Sequence, residues 1–542
     1  MLRFSSFYLF LNLLFCQTWC LNYYGQIYLN GTLFSNPASD QLLIWGKLHP
    51  DPPTLTTSSG SPIDDFENSL TAGSQGPMLL QDNTYFDQIQ NFNRERIPER
   101  VVHAKGAGAI GYLEVTNDIS KYSFAKVFSR VPSKTQVVVR FSKVVGEMGT
   151  ADSTRDTRGF ALKFYTPDGI WDLVCNNSPV FFVRDAIRFP NLIHAMRRNP
   201  MTHLLDPNAM WDFISLVPET TFQIMMLFSD RGIPIGYRHM HGFGINTFFL
   251  VNANGTITYT RFHLRTNQGI QNLTPEQGTL IAGQDPDYFI RDLYNAIESG
   301  NLPSWNFSIQ VMTPKQAEKF PWNPFDPTKL WPQNQFPLIP IGKVVLTTNP
   351  MNYFATVETI AFSPGRLVPG IEPSPDKLLQ GRLFAYADTQ TYRLGSNNQL
   401  DSVNNPLGLK QFGATNPGNP LYYNYMRDGY SRCDLDQGAA VNYFPNSFNG
   451  PQVSPRGRTI PYRVSGNIGR YNTINEDNFS QPSIFWNKTL TPGERNRMVM
   501  NIAASLSQAY PQIQKRALQN FNKVSPSMGR MLMKALQQAN SK

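Results

Sequence analysis

The stretch GFALKFYTPDGIWDLV, Gly159 to Val174, decides the fold class. Gly159 to Thr166 reads as a strand and Ile170 to Val174 as its returning partner. Between them, residues 166–169 (TPDG) form a turn tetrad in which proline presets φ and glycine supplies the freedom a tight reversal needs. Upstream, QVVVRFSKVV (Gln136 to Val145) alternates, with Val137, Val139 and Phe141 on one face and Val138, Arg140, Ser142 and Val144 on the other. Downstream, Ile245 to Val251 and Thr256 to Leu264 flank the turn pair Asn254 and Gly255, which predicts a second hairpin. Helical patterns at Pro207 to Val217 and Pro286 to Ser299, the second stopped by Gly300, separate the strands. Residues 99–350 therefore read as an antiparallel barrel with helical excursions.

Outward from that core the pattern changes. Residues 21–98 are rich in Pro, Ser, Thr, Asn and Gly with weak periodicity, which predicts an extended arm lying over its own domain or a neighbouring subunit. Residues 351–465 lose the β signal and must wrap over something, interrupted by one helix from about Asp376 to Arg393. Residues 466–542 read as a C-terminal helical domain, with Met498, Ile502 and Leu506, then Met531, Met533 and Leu536, at helical spacing.

The chain has 542 residues, 41% hydrophobic and 13% aromatic, enough for a large core. Its formal charge of +9 comes from Lys and Arg scattered without long basic runs, so no nucleic-acid partner is expected. Residues 1–20, MLRFSSFYLFLNLLFCQTWC, place Arg3 before an apolar run from Phe7 to Phe15 and predict a secretory signal peptide cut after Cys20. That run is about half of the roughly 20 apolar residues a spanning helix needs, so no membrane span is expected. The N-x-S/T acceptors at Asn30, Asn254, Asn272, Asn306, Asn478 and Asn487 fit an exported, glycosylated chain. With Cys16 and Cys20 in the leader, Cys175 and Cys433 remain, too few for a disulfide framework and without a CxxC or CxxCH pattern. His239 and His241 would share one face of a strand but lack a third ligand nearby, so no metal is expected there.

Two stretches carry chemistry. In RERIPERVVHAKGAGAIGY (Arg94 to Tyr112), His103 sits between a run of alternating charge and a glycine-alanine run, where Gly106 and Gly108 let backbone or a flat ligand approach. In DKLLQGRLFAYADTQTYRLG, Arg382, Tyr386 and Arg393 are four and eleven apart, which puts all three on one helix face. A guanidinium beside a phenol favours the phenolate, a hard ligand for ferric iron.

These stretches, with VVVRFS, RDTRGFALKFYTPDGIWDLVCNNSPVFFVRD, LFSDRGIP, NPFDPTKLWP and PDKLLQGRLFAYADTQ, make the chain from about Leu55 to its end resemble the monofunctional, small-subunit haem catalases. The resemblance implies an α+β fold: an antiparallel eight-stranded β-barrel with N-terminal arm, wrapping segment and C-terminal helical domain. It implies a homotetramer that binds haem b and converts hydrogen peroxide to water and dioxygen through a ferryl-haem intermediate. His103 is implied as the distal acid/base catalyst, Asn176 as the peroxide-orienting partner and Ser142 as the group that fixes the imidazole. Tyr386 is implied as the iron ligand, the family's known arrangement rather than a deduction from spacing, with Arg382 supporting it. Arg100, Arg140 and Arg393 match the propionate-pairing arginines. Val102, Phe181, Phe182 and Phe189 match the apolar lining, and Val144 and Asp156 the access channel.

The chain also departs from the family. The position behind the proximal arginine that often holds a histidine is Asn246, which predicts a weaker relay to Asp376. Where NADPH-binding members carry their nucleotide contacts, the chain has Phe222, His241, Phe243, Arg265 and Gln333, keeping only Ser229, Arg231 and Trp331, which argues against NADPH. It ends in Asn-Ser-Lys without a peroxisomal address, in keeping with the leader and a secreted location. Two alternatives fit the residues less well. A fatty-acid hydroperoxide lyase or isomerase on this fold would place a threonine before the distal histidine, where the chain has Val102. An inactive secreted haem-binding protein would have no need of His103, Ser142 and Asn176 together.

Overall fold

The computed structural model describes residues 36–405, 424–426, 428–430, 439–473 and 475–541. The leader, Cys16, Cys20, Asn30 and Cys433 lie outside the described residues. Residues 20–99 and the rest of the chain divide into two units.

In the larger unit the hairpin forms as its sequence predicts. β3 (Arg158–Thr166) and β4 (Gly169–Asn176) pair antiparallel from Gly159 opposite Asn176 to Thr166 opposite Gly169. Gly169 takes φ +112°, and the Thr166 hydroxyl donates to its carbonyl at 2.7 Å. β2 (Ser133–Lys143) lies against β3 and against β1 (Gly106–Val115). β5 (Gly242–Phe243) and β6 (Phe248–Val251) share one edge of β7 (Ile257–Thr266). β8 (Ser304–Met312) takes the other edge of β7, and β9 (Ile339–Thr348) joins β8 back to β1. The circuit β1-β2-β3-β4-β5-β7-β8-β9 closes eight antiparallel strands into a barrel, while β6 and β10 (Ile371–Pro373) extend from β7. Closure leaves no free edge in that circuit.

Alternation along β2 sorts the two sides of the wall. Val137, Val139 and Phe141 fall in the barrel core with Phe160, Phe164, Trp171 and Trp305. Val138 faces a separate cluster with Val174, Ile360, Phe362 and the partly buried Tyr386. The ring pairs Phe141–Phe160 (4.6 Å) and Phe164–Trp171 (4.7 Å) fill the interior, so the barrel is a packed core and not a pore.

Several expectations change. The strand expected over Ile245 to Val251 starts only at Phe248, because Ile245 takes φ +57° and the Asn246 N–H donates to the Gly244 carbonyl at 2.6 Å. That is a γ-turn centred on a β-branched residue, a strained conformation. His239 ends a short 3₁₀ turn rather than sharing a strand with His241, and its Nδ1 lies 3.0 Å from the Gly269 carbonyl. No three-residue metal-ligating cluster of His, Cys, Asp or Glu occurs among the described residues. The arm is not wholly extended: it holds helices Pro37–Leu48 and Asn83–Phe92, the second capped by Asp82, and neither buries a side chain. At the C-terminus, helices Pro492–Leu506, Pro511–Val524 and Pro526–Asn540 form, but the last buries Met528, Leu532, Ala535 and Leu536 and exposes Met533. Pro526 stands in its first turn, where the N–H it lacks would have no partner within the helix.

Candidate active site

The outward face of β2 and β3 forms one wall of a cavity, and the helix Lys377–Leu394 contributes the opposite side chains. Val102, His103, Arg140, Ser142 and Phe189 line it from the first half of the chain, and Tyr386 and Arg393 from the second.

His103 is held by three hydrogen bonds in an unusual backbone conformation. It takes φ +68°, its N–H donates to the Val144 carbonyl at 3.0 Å, its carbonyl accepts from Arg140 Nη1 at 2.7 Å, and Nδ1 shares a 2.8 Å hydrogen bond with Ser142 Oγ. A non-glycine residue in that backbone region costs on the order of 1–3 kcal/mol and persists only where surrounding contacts fix it. Burial, and then the charges of Arg140, Arg382 and Arg100, push the imidazole down to about 3, so the ring is neutral. Gly159, opposite Ser142 in the ladder, makes the pair possible: a Cβ there would lie 2.4 Å from Ser142 Oγ and 2.5 Å from His103 Nδ1. In sequence Gly159 shows only as the start of a strand; its role beside His103 depends on contacts across the sheet.

Asn176 ends β4 opposite both Gly159 and Phe243 and is buried, but it lies beyond the residues that line the cavity. Its neighbour Asn177 is committed to backbone, accepting from the Arg158 N–H at 2.9 Å. Phe181 stands one ring behind the wall, 6.1 Å from Phe189, and Phe182 packs edge-on to Phe181. Asp156 is tied down next to Val144, accepting from the N–H groups of Val145 and Gly146 at 3.0 and 3.1 Å.

On the helix side, Asp376 is the N-cap, accepting from the N–H groups of Leu378 and Leu379 at 2.9 and 3.0 Å. Its second oxygen accepts from Asn246 Nδ2 at 2.7 Å, Asn246 Oδ1 accepts from Arg382 Nη1, and Arg382 Nη2 donates to Tyr386 Oη at 3.0 Å. Burial raises the Asp376 carboxyl, and only then does the Asn246 hydrogen bond pull it back. The chain Asp376, Asn246, Arg382, Tyr386 is thus continuous, with an amide bonding on both sides.

The rim is cationic. Arg100 Nη2 donates to the carbonyls of Val357, Glu358 and Ile360 at 2.9, 2.7 and 3.0 Å, and Arg393 donates to Glu358 and Ile360 at 2.5 and 3.1 Å. Arg140 donates to the carbonyls of His103 and Ala104, yet its Nε, and Nη1 of Arg100, are buried without an acceptor. Burial first, then Arg140 and Arg393, pull Arg100 down. Orphaned guanidinium donors at the rim of an apolar slot fit a flat ligand with acidic substituents on one edge. Gly106 and Gly108 serve the wall rather than the ligand directly: a Cβ at Gly106 would lie 2.2 Å from the Phe141 carbonyl, and one at Gly108 would lie 2.8 Å from Val357.

At the positions read as departures from nucleotide binding, side chains are engaged within the protein. Phe222 packs on Phe485 at 5.7 Å, His241 Nδ1 accepts from the Thr266 N–H at 3.1 Å, and Arg265 sits 5.1 Å over the Phe243 ring. Gln333 is exposed.

Comparison with known proteins agrees with this geometry. The catalase family model matches residues 56–450, and a model described as catalase-related immune-responsive matches residues 473–536. The catalase of Rattus norvegicus is 53% identical over 508 residues, covering 93% of this chain and 94% of the relative. That of Drosophila melanogaster is 52% identical over 508 residues, covering 93% and 98%. Among solved structures, a fungal catalase aligns with TM-score 0.86 at 39% identity over 91% of this chain and 99% of the other. Catalase A from Saccharomyces cerevisiae aligns with TM-score 0.85 at 40% identity over 89% and 99%. The eight-stranded barrel, the cavity on its outer wall and these matches agree: the chain belongs to the catalase family and is an enzyme of the catalase type.

Proposed function

We propose that this chain is an exported haem catalase that binds haem b between His103 and Tyr386 and converts hydrogen peroxide to water and dioxygen. The observation that carries the reading is a single cavity with a neutral, serine-braced imidazole on one wall, an arginine-paired phenol on the other and three guanidiniums at its rim. Tyr386 Oη would hold the iron, Arg382 donating to the same oxygen, and Arg100, Arg140 and Arg393 would take the propionates. Haem supplies the two-electron redox capacity by which one peroxide is reduced and a second oxidised.

The protein's part is to move protons and exclude charge. With Nδ1–H donating to Ser142 Oγ, His103 Nε2 is the base: it accepts a proton from one peroxide oxygen and returns it to the other, preparing that oxygen to depart as water, while the remaining oxygen and the two electrons for O–O cleavage would be the bound haem's part. Ser142 fixes the ring plane, and Arg140 fixes the backbone beneath it. Asn176, next along β4 from the cavity, contributes an uncharged amide to orient peroxide.

Export rests on the leader, residues 1–20, and on the acceptor asparagines. Asn254, in the loop between β6 and β7, is exposed, whereas Asn478 is buried and accepts from Arg184 Nη2. Glycan is therefore expected on Asn254 and not on Asn478. No helix among the described residues is long and apolar enough to cross a membrane. A homotetramer accounts for the arm, whose Leu42, Trp45, Leu80 and Phe92 are 52–85% exposed. The residues that replace the family's nucleotide contacts support catalysis without NADPH.

Oxygen evolution from peroxide, assayed on culture medium, tests activity and export together. Activity confined to cells, or a functional protein that keeps Met1 instead of starting near Leu21, would overturn export. Purified protein without activity would overturn the enzymatic assignment.

A further inference from the structure

No local sequence pattern marks Glu358, which lies inside the cationic rim and is 5% exposed. It closes a π-helical turn, Phe354–Glu358, in which the Thr359 N–H reaches back to the Phe354 carbonyl at 2.9 Å. Such turns leave neighbouring carbonyls free for other partners and recur at functional sites. Here the carbonyls of Val357, Glu358 and Ile360 all accept from Arg100 or Arg393. The segment is pinned to β1 through Tyr353 Oη, which donates to the Gly106 carbonyl at 2.7 Å, and by Val357 filling the space Gly108 leaves.

The carboxylate is placed differently from the backbone. Oε1 lies 3.5 Å from Arg100 Nη1 and 3.7 Å from Arg393 Nη1, within ion-pair range of both, yet neither oxygen accepts a hydrogen bond. Backbone carbonyls already hold both arginines, so Glu358 is not needed to position them. What it changes is charge. Arg100, Arg140 and Arg393 bring three positive charges to the rim and Glu358 removes one, leaving two. Asp401 also acts on Arg393, but it is half-buried, hydrogen-bonded to Asn404 at 3.4 Å and outside the cavity lining.

We propose that Glu358 is a charge-matching residue: it trims the three-arginine rim to a net charge of two, which a ligand carrying two carboxylates neutralises. This inference rests on the haem reading above. Without Glu358 the rim would carry three positive charges instead of two, would hold a diacid more tightly than a neutral match requires, and would bury one more uncompensated charge before the diacid binds.

The test is haem transfer from the purified, loaded protein to excess apomyoglobin, followed in the Soret band in urea below the unfolding range. A wild-type protein without a Soret band would overturn the haem reading itself, independently of Glu358. Given a loaded wild type, Glu358→Gln should release haem several-fold more slowly, because the charge is removed with shape retained. Glu358→Asp should restore the wild-type rate. Reconstitution with haem dimethyl ester, which has no carboxylates, should erase the slowing in Glu358→Gln. Transfer that is unchanged or faster in Glu358→Gln, slowing that persists with the ester, or failure of that variant to load haem would overturn the proposal and make Glu358 a structural brace.

Discussion

The two walls of the cavity are built by different means. On the barrel side, ladder register does the positioning: Ser142 stands opposite Gly106 on one strand and Gly159 on the other, so the serine that braces His103 cannot move without unpairing β2. On the helix side, a hydrogen-bond chain does it, running from the Asp376 cap through Asn246, itself aimed by the strained turn at Ile245, to Arg382 and Tyr386. Register fixes a catalytic base rigidly, and a chain of polar contacts tunes the donor that holds a cofactor. The barrel wall should therefore govern turnover and the helix wall occupancy.

The largest expected effect separates them directly. His103→Ala should keep the haem spectrum while turnover falls by about 10²–10⁴-fold or more, the range of lost acid-base catalysis. Tyr386→Phe should instead lose haem, read as the Soret-to-protein absorbance ratio. Equal haem content and equal activity in the two variants would erase the distinction between the walls.

Gly159→Ala comes next. A methyl 2.4–2.5 Å from both Ser142 Oγ and His103 Nδ1 must force the pair apart, costing about 1–3 kcal/mol in stability and a larger share of activity. Wild-type activity in this variant would show that the pair is dispensable. Asn246→Ala should act on the other wall: it leaves the buried Asp376 and Arg382 each short of a partner, for about 1–3 kcal/mol, and should loosen haem with a smaller loss of turnover per bound haem.

The smallest effect is on pH. Because His103 titrates near 3, its ring is already neutral at ordinary acidity, and protonation removes the base only as pH falls toward that value. The pH profile of kcat/KM should be flat above about pH 5, far from the roughly 6.5 of a free imidazole. A fall centred near 6.5 would contradict the buried, neutral histidine.

What the sequence made legible follows from distance along the chain. The hairpin from Arg158 to Asn176 and the Arg382, Tyr386, Arg393 helix face are local patterns, readable from turn chemistry and 100° spacing. The two faces of β2 were readable for the same reason. Gly159 was not, because its meaning depends on His103 and Ser142 meeting across strands. Nor was Glu358, since the carbonyls it belongs with reach Arg100 across 257 to 260 residues. Ile245 reads as strand because its apolar character suits one, whereas its φ of +57° takes it out of the ladder. Asn176 and Phe181 are both buried near the site, Asn176 next along β4 from the lining residue Cys175 and Phe181 one ring behind Phe189, so their parts in it rest on the motif and not on the cavity lining.

A spectrum and an oxygen electrode trace on the same purified sample decide whether this chain is a working haem catalase. That sample should show a ferric haem band and release one dioxygen for about every two peroxides consumed, as the balance of the reaction requires. A sample that carries haem and consumes no peroxide would contradict that assignment.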